Sequence, residues 1–263
     1  MKTSISTSVF PQETSLGEIA AASAGAGFDA LELVIGGPGI SSRDATQDPC
    51  GELARLVADS GLSLSGLAME ATAETHLGSN DLAARQRAHD ETLQALDRAA
   101  WLGAGTLLIT PAVVRGQNTS GPFVRYQDAY ARSVDSLSRL RFSAQERGVS
   151  IACRADAGFL LSPPEMRAFI DRINSPFVGA CLTIGKQAAT CSADWILTLG
   201  FRLTCLHVTD SGSADWAVVR SALERVRYEG FFTALGTGDP RTLRARLEPF
   251  QCPGHFLDRS SLR

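Results

Sequence analysis

GVSIACRADAGFLLSPPEMRAFIDRINSPFVGACLTIGK, residues 148–186, reads as strand, helix, strand. Ser150–Arg154 and Val178–Thr183 are short and apolar on both parities, as expected of parallel strands covered on both faces. Between them Ser162–Asn174 opens on Pro163 and Pro164, which a helix tolerates in its first turn, where no intrahelical N–H is needed. Two parallel strands require such a crossover.

The same unit recurs in both directions. Further strands are expected at Thr3–Thr7, Ala30–Val34, Leu62–Ala68, Thr106–Thr110, Leu203–Val208 and Phe231–Leu235. Helical patterns follow: Ser15–Ala26 with Leu16, Ile19, Ala20 and Ser23 on one face, and Asp81–Leu102 with Leu82, Leu93, Leu96 and Ala100 in its stripe. Phe123–Arg147 stops at Gly148, Ser192–Leu199 stops at Gly200, and Asp215–Tyr228 ends just before Gly230. Asp239 caps a last helix that begins with Pro240. Eight units in 263 residues give a period of about 33, close to a typical closed barrel of eight β/α units. An open doubly wound sheet is the alternative, but it usually has fewer units and often a glycine fingerprint after its first strand. Here SVFPQETS follows instead. The fold class is therefore α/β, a single (β/α)8 TIM barrel forming one domain over residues 1–263, with the last dozen residues as a tail.

Composition narrows the function. The chain is 44% hydrophobic and 20% charged, with a net charge of −3, so it lacks the basic excess of a nucleic-acid-coating protein. No apolar run reaches the roughly 18 residues of a membrane helix, and MKTSISTSVFPQETS is too polar for a signal peptide; a cytoplasmic protein is expected. Cys50, Cys153, Cys181, Cys191, Cys205 and Cys252 form no C-x-x-C pair. They read as small buried or half-buried thiols in a reducing compartment. Only Lys2 and Lys186 of the 25 basic residues are lysine, a bias typical of GC-rich coding, so most of the arginine excess carries no functional meaning.

Several junctions carry familiar wording. Ala26-Gly27-Phe28-Asp29-Ala30-Leu31-Glu32-Leu33 resembles the "GFDGVEL" second strand of the xylose isomerase-like barrels, a superfamily of sugar isomerases, epimerases and type 2 apurinic endonucleases. Leu102–Thr106 is similar to that family's "LGA" lead into strand four, Gln145–Val149 to its lead into strand five, Leu206–Asp210 to its "HLKD", and Tyr228–Phe231 to its "GYDG". The resemblance implies a divalent metal at the C-terminal strand ends, held by Glu, Asp, His and Glu on strands five to eight. Carried over residue by residue, those positions are Arg154, Thr183, His207 and Leu235, with Lys186 where the family places a substrate-contacting His. One ligand of four is kept, and a guanidinium stands at another. No metal is expected at the mouth and no cofactor is assigned.

Strand parity places Arg154, Thr183, His207 and Leu235 inward at the top, with Ala152, Cys181, Cys205 and Thr233 one layer below and Cys153 toward the helices. Cys181 and Cys205, with His207 above them, are core-filling residues or, alternatively, a soft-metal pair. His207, Lys186 and Glu32 are the candidate catalytic residues. His207 is read as an acid–base group or as an inherited His bonded to a neighbour, Lys186 as an anion ligand or base, and Glu32 as a proton acceptor or as the partner of Arg154. Arg154, Asp210, Thr183 and Glu70 are assigned to substrate, as are Gly236 and Gly238, whose Gly-Thr-Gly-Asp loop is either an anion nest or a plain turn. With Arg154 and Lys186 beside it, His207 is expected to have a depressed pKa and the mouth to favour anions.

These readings describe a divergent sugar isomerase/epimerase-like barrel that takes a small sugar-like or anionic ligand without the family's metal. The alternatives are a non-catalytic homologue acting as a binding protein, which internal ion pairs at the mouth would favour, and a conventional metal-dependent isomerase. The partner is a small molecule rather than nucleic acid or a membrane, and a homo-oligomer is left open.

Overall fold

The computed structural model describes residues 2–40, 46–72, 74–114, 124–155, 158–185, 192–209 and 215–248. Eight strands close into one all-parallel barrel in sequence order: β1 Lys2–Ser6, β2 Ala30–Val34, β3 Ser63–Ala68, β4 Thr106–Ile109, β5 Ser150–Arg154, β6 Val178–Ile184, β7 Leu203–Val208 and β8 Phe231–Ala234. β1 pairs with β8, with Ser4 opposite Thr233, which closes the ring. Thr7, expected as the last residue of β1, belongs instead to a short 3-10 turn, Thr7–Val9. No helix among the described residues is long and apolar enough to cross a membrane.

Among the described residues eight α-helices accompany the strands: α1 Leu16–Gly25, α2 Gln47–Asp59, α3 Leu82–Leu102, α4 Tyr126–Arg147, α5 Pro163–Ile173, α6 Ser192–Leu199, α7 Trp216–Val226 and α8 Pro240–Ala245. Helix α1 starts in a capping box, in which Ser15 and Glu18 each satisfy the other's backbone N–H, and it buries Leu16, Ile19, Ala20 and Ser23. α2 had no counterpart in the sequence reading. In α3 the buried face is Ala84, Ala88, Thr92, Ala95, Leu96, Ala99 and Leu102, and Leu82 is 71% exposed. Asp81 fixes that phase: its carboxylate accepts the Ala84 N–H at 2.7 Å, and small alanines let the helix approach the sheet closely. α7 ends at Val226, before the expected Tyr228, because Arg227 turns into the left-handed region.

The core has two shells. Residues such as Leu31, Leu33, Leu107, Ile151, Cys153, Leu182, Leu206 and Phe232 fill the layer between strands and helices. A smaller cluster of Val34, Ala68, Leu108, Ala152, Cys181 and Cys205 lies inside the barrel. Short side chains predominate there, leaving a cavity of about 240 Å³ bordered by the strand starts (Ser65, Thr106, Thr204, Phe231) and reaching Glu32, Cys205 and Thr233. β6 must approach β7 closely, since a Cβ on Gly179 would lie 1.9 Å from Thr204 Oγ1 and 2.6 Å from the Arg202 carbonyl oxygen.

Candidate active site

The C-terminal strand ends bring four charged side chains together from strands remote in sequence. Glu32 of β2 and His207 of β7 both point inward and are almost fully buried, at 2% and 0% exposure. His207 Nε2 donates to Glu32 Oε2 at 2.7 Å. Thr183 and Thr233 flank His207 in register on β6 and β8. Arg154 at the end of β5 donates through Nη2 to Glu70 Oε1 at 2.7 Å and more weakly to Thr110 Oγ1 at 3.4 Å.

The pairing differs from the sequence expectation. Glu32 bonds to His207 rather than to Arg154, and Glu70, which follows β3, takes the guanidinium. Reach explains the exchange. Register places Arg154 opposite Cys181, a layer deeper than His207 opposite Thr183, but the longer arginine side chain reaches Glu70 while the imidazole stays beside Glu32. Glu70 is 61% exposed at its side chain and Arg154 13%.

The expected depression of the His207 pKa is also overturned. Burial alone would push the imidazole down, but the Cys181 and Glu32 charges beside it raise it to about 10. Burial opposes ionisation of Glu32 too, yet His207, Arg154 and a hydrogen bond from Ser6 hold its carboxyl below the usual value. Burial pushes the Cys181 thiol up, but hydrogen bonding from Cys205 and the charge of His207 outweigh it and bring it to about 6. Cys205, buried beside that sulfur, is shifted well up. The interior of the rim is thus an ionised, internally compensated cluster. It is not a bare cationic mouth.

The other assigned residues divide clearly. Lys186 and Asp210 lie outside the described residues, as do Cys191 and Cys252. Gly236 and Gly238 have φ of 102° and 139°, as a turn requires. Their loop turns the chain from β8 into α8. The Asp239 side chain already accepts the Arg241 and Thr242 N–H groups that open α8, and Arg246 donates to the Thr237 carbonyl. The sequence reading missed Ser6 and Thr110 as partners of the charged pairs, although both stand at strand ends. It also missed His76, in the segment after β3, which is 2% exposed with neither ring nitrogen hydrogen-bonded and a pKa lowered by burial to about 4.

Comparison with known proteins agrees with this architecture. No curated protein matches the sequence significantly. Among solved structures, a D-psicose 3-epimerase determined in the presence of D-fructose superposes with a TM-score of 0.78 at 19% identity, over 95% of this chain and 90% of that one. D-psicose 3-epimerase from Clostridium cellulolyticum H10, with D-tagatose, gives 0.80 at 18% identity over 95% and 98% of the two chains. An L-ribulose 3-epimerase gives 0.77 at 19% identity over 94% and 86%. At such identities the likeness establishes the fold alone. The family match is of another kind: it runs through the sequence from residue 20 to residue 248, across β2 to β8 and the strand ends that carry Glu32, Arg154 and His207. The chain belongs to the xylose isomerase-like TIM barrel family.

Proposed function

We propose that this barrel is a divergent sugar isomerase/epimerase-like protein that binds, and converts, a small sugar-like or anionic ligand at its C-terminal rim without an oxygen-ligated divalent metal. The buried Glu32–His207 ion pair, standing where sugar epimerases of this fold do their chemistry, carries the reading. The residues do not fit the family's ion. Its four positions hold a guanidinium, a hydroxyl, an imidazole and an alkyl chain, whereas a stable site needs three or four donors.

In this reading Arg154 binds the ligand. Its partner Glu70 is mostly exposed and is readily hydrated on release, so a carboxylate, phosphate or sugar hydroxyl that takes over the guanidinium can displace it. Lys186 supplies a second cation, with Asp210 and Thr183 as polar contacts. Glu32, ionised and fixed by the His207 N–H, accepts the proton from the carbon beside the sugar carbonyl, and inversion is completed by a proton delivered to the opposite face of that carbon, the acid–base role assigned to Lys186. His207 positions the carboxylate and holds its charge.

Calorimetry with sugar phosphates and sugar acids, followed by ketose epimerisation in chelator-treated buffer, tests this. Binding that weakens at least tenfold in Arg154→Ala, with turnover lost in Glu32→Gln, is the expected result. Binding indifferent to Arg154→Ala sinks it. The internal pairing of both described rim cations favours one second reading, a sugar-binding homologue without turnover. Tight binding with no epimerisation of any ketose selects that alternative.

A further inference from the structure

Below the rim pairs, the barrel interior holds a cluster of different chemistry. Cys181 and Cys205 are directly opposed register partners on β6 and β7, and His207 lies two residues beyond Cys205 on the same inward face. One donor atom from each, the two Sγ atoms and a ring nitrogen, lie within 4.8 Å of one another. All three residues are buried, at 2%, 8% and 0% exposure. A tetrahedral zinc site with bonds of roughly 2.0–2.3 Å spaces its donors about 3.5–4 Å apart, so rotamer-scale adjustment closes this set around an ion.

Two further observations point to a ligand there. His207 Nε2 is taken by Glu32, whereas the buried Nδ1 makes no hydrogen bond of standard geometry, and the ring's other neighbour is the Cys181 sulfur. A ring nitrogen left to a sulfur neighbour is placed for a soft ion. A metal on Nδ1, with the Nε2–H donated to a carboxylate, is the arrangement that fixes a ligating imidazole. The interior cavity of about 240 Å³ also reaches Cys205 and Glu32 from the strand starts. It gives an ion a way in and leaves room for a fourth ligand.

We propose that Cys181, Cys205 and His207 form a buried soft-metal site that takes Zn²⁺ or a similar thiophilic divalent ion. On coordination Cys205 gives up its thiol proton, any proton still on Cys181 leaves with it, and His207 gives up the proton on Nδ1 while keeping that on Nε2; all pass to solvent, and no electrons are transferred. The two thiolates balance the ion's charge, and Glu32 remains the acceptor of the His207 N–H. Two of the three ligands are sulfur and lie one layer below the family's strand-end positions, so this is not the oxygen-rich site of the family. It shares His207 with the rim reading, and an ion on Nδ1 leaves the Nε2–H with Glu32. Anion binding at Arg154 stands or falls without it.

The test is a Co²⁺ titration of the full-length, reduced, chelator-treated protein, followed by displacement with Zn²⁺. The expected result is one ion per chain, a near-ultraviolet thiolate-to-cobalt charge-transfer band with strong visible bands, and full displacement by Zn²⁺. Cys181→Ser and Cys205→Ser should each weaken binding at least tenfold, while Cys191→Ser with Cys252→Ser should leave the spectrum unchanged. If either site variant fails to fold, the wild-type band and that double control decide the matter alone. Weak octahedral bands without charge transfer overturn the proposal. So does binding unaffected by the site variants, or a Cys181–Cys205 disulfide found by mass spectrometry of the reduced, freshly purified chain.

Discussion

Replacing Glu32 by Gln keeps the shape and one acceptor oxygen of that side chain but removes the charge facing His207. The pair is buried and bonded at 2.7 Å. Removing one partner of a buried ion pair costs roughly 3–5 kcal/mol, and the retained amide oxygen places this change near about 3 kcal/mol. The pH dependence follows from the shifts. His207 is raised from 6.5 to about 10, so its contribution is complete below 6.5 and is lost as pH climbs through 10. Glu32 is lowered, so its share is present above 4.5 and is lost as acid protonates it. Cys181 is lowered from 9.0 to about 6, and its share grows as pH rises between those values. Between about 6.5 and 9 the His207 loss and the Cys181 gain run in opposite directions and offset each other, which flattens the profile there. Urea unfolding of metal-free, reduced protein at about pH 7.5 should show the variant about 3 kcal/mol less stable, with Tm lower by roughly 6–12 °C. Above about pH 10, where His207 is neutral, the gap should fall below about 1 kcal/mol. A gap under about 0.5 kcal/mol on the plateau, or an equal gap in strong base, refutes the reasoning.

Three further outcomes are expected. His76, lowered from 6.5 to about 4 by burial, contributes stability above 6.5 that is lost as pH falls toward 4; a His76→Leu variant should show a flatter acid limb in denaturant midpoints measured across that range. Gly179→Ala sets a methyl against a backbone carbonyl and should destabilise by about 1–3 kcal/mol, seen as a lower Tm with the fold retained by circular dichroism. Asp81→Ala removes the α3 cap and should cost about 1 kcal/mol in urea unfolding, whereas Asp81→Ser should restore most of it.

The barrel was legible because each strand is a short apolar run and each following helix announces its end. Gly103 and Gly148 stop α3 and α4 in the left-handed region, and Pro163 and Pro240 open α5 and α8. Helix α2 was harder to read. Pro49 and Gly51 stand in its first turns, it buries only Cys50 and Val57, and its Thr46 cap makes no side-chain bond. The spacing of Cys50, Leu53 and Val57 was the signal available. Parity also set the facing correctly, since Ala152, Cys181 and Cys205 face the barrel axis and Cys153 the helices; it did not set the layers, because Arg154 stands in register with Cys181 and Thr233 with His207.

Pairing was the part that parity could not supply. Glu32 and His207 are 175 residues apart, and Arg154 and Glu70 are 84 apart. Which carboxylate meets which cation depends on side-chain length and depth, and no spacing rule encodes either. The two pairs have the same formal charges and opposite physical roles. Glu32 and His207 are sealed from water, so neither gives up its partner without the full cost of an unpaired buried charge. Arg154 is mostly buried, but its partner Glu70 is largely in solvent, where it is readily hydrated on release. An incoming anionic or polyhydroxylated ligand can therefore exchange with Glu70 at Arg154, whereas the Glu32–His207 pair stays fixed beneath it. Under the proposed function, that asymmetry puts ligand entry on the Arg154 side of the rim, with Glu32 as the group the ligand would meet.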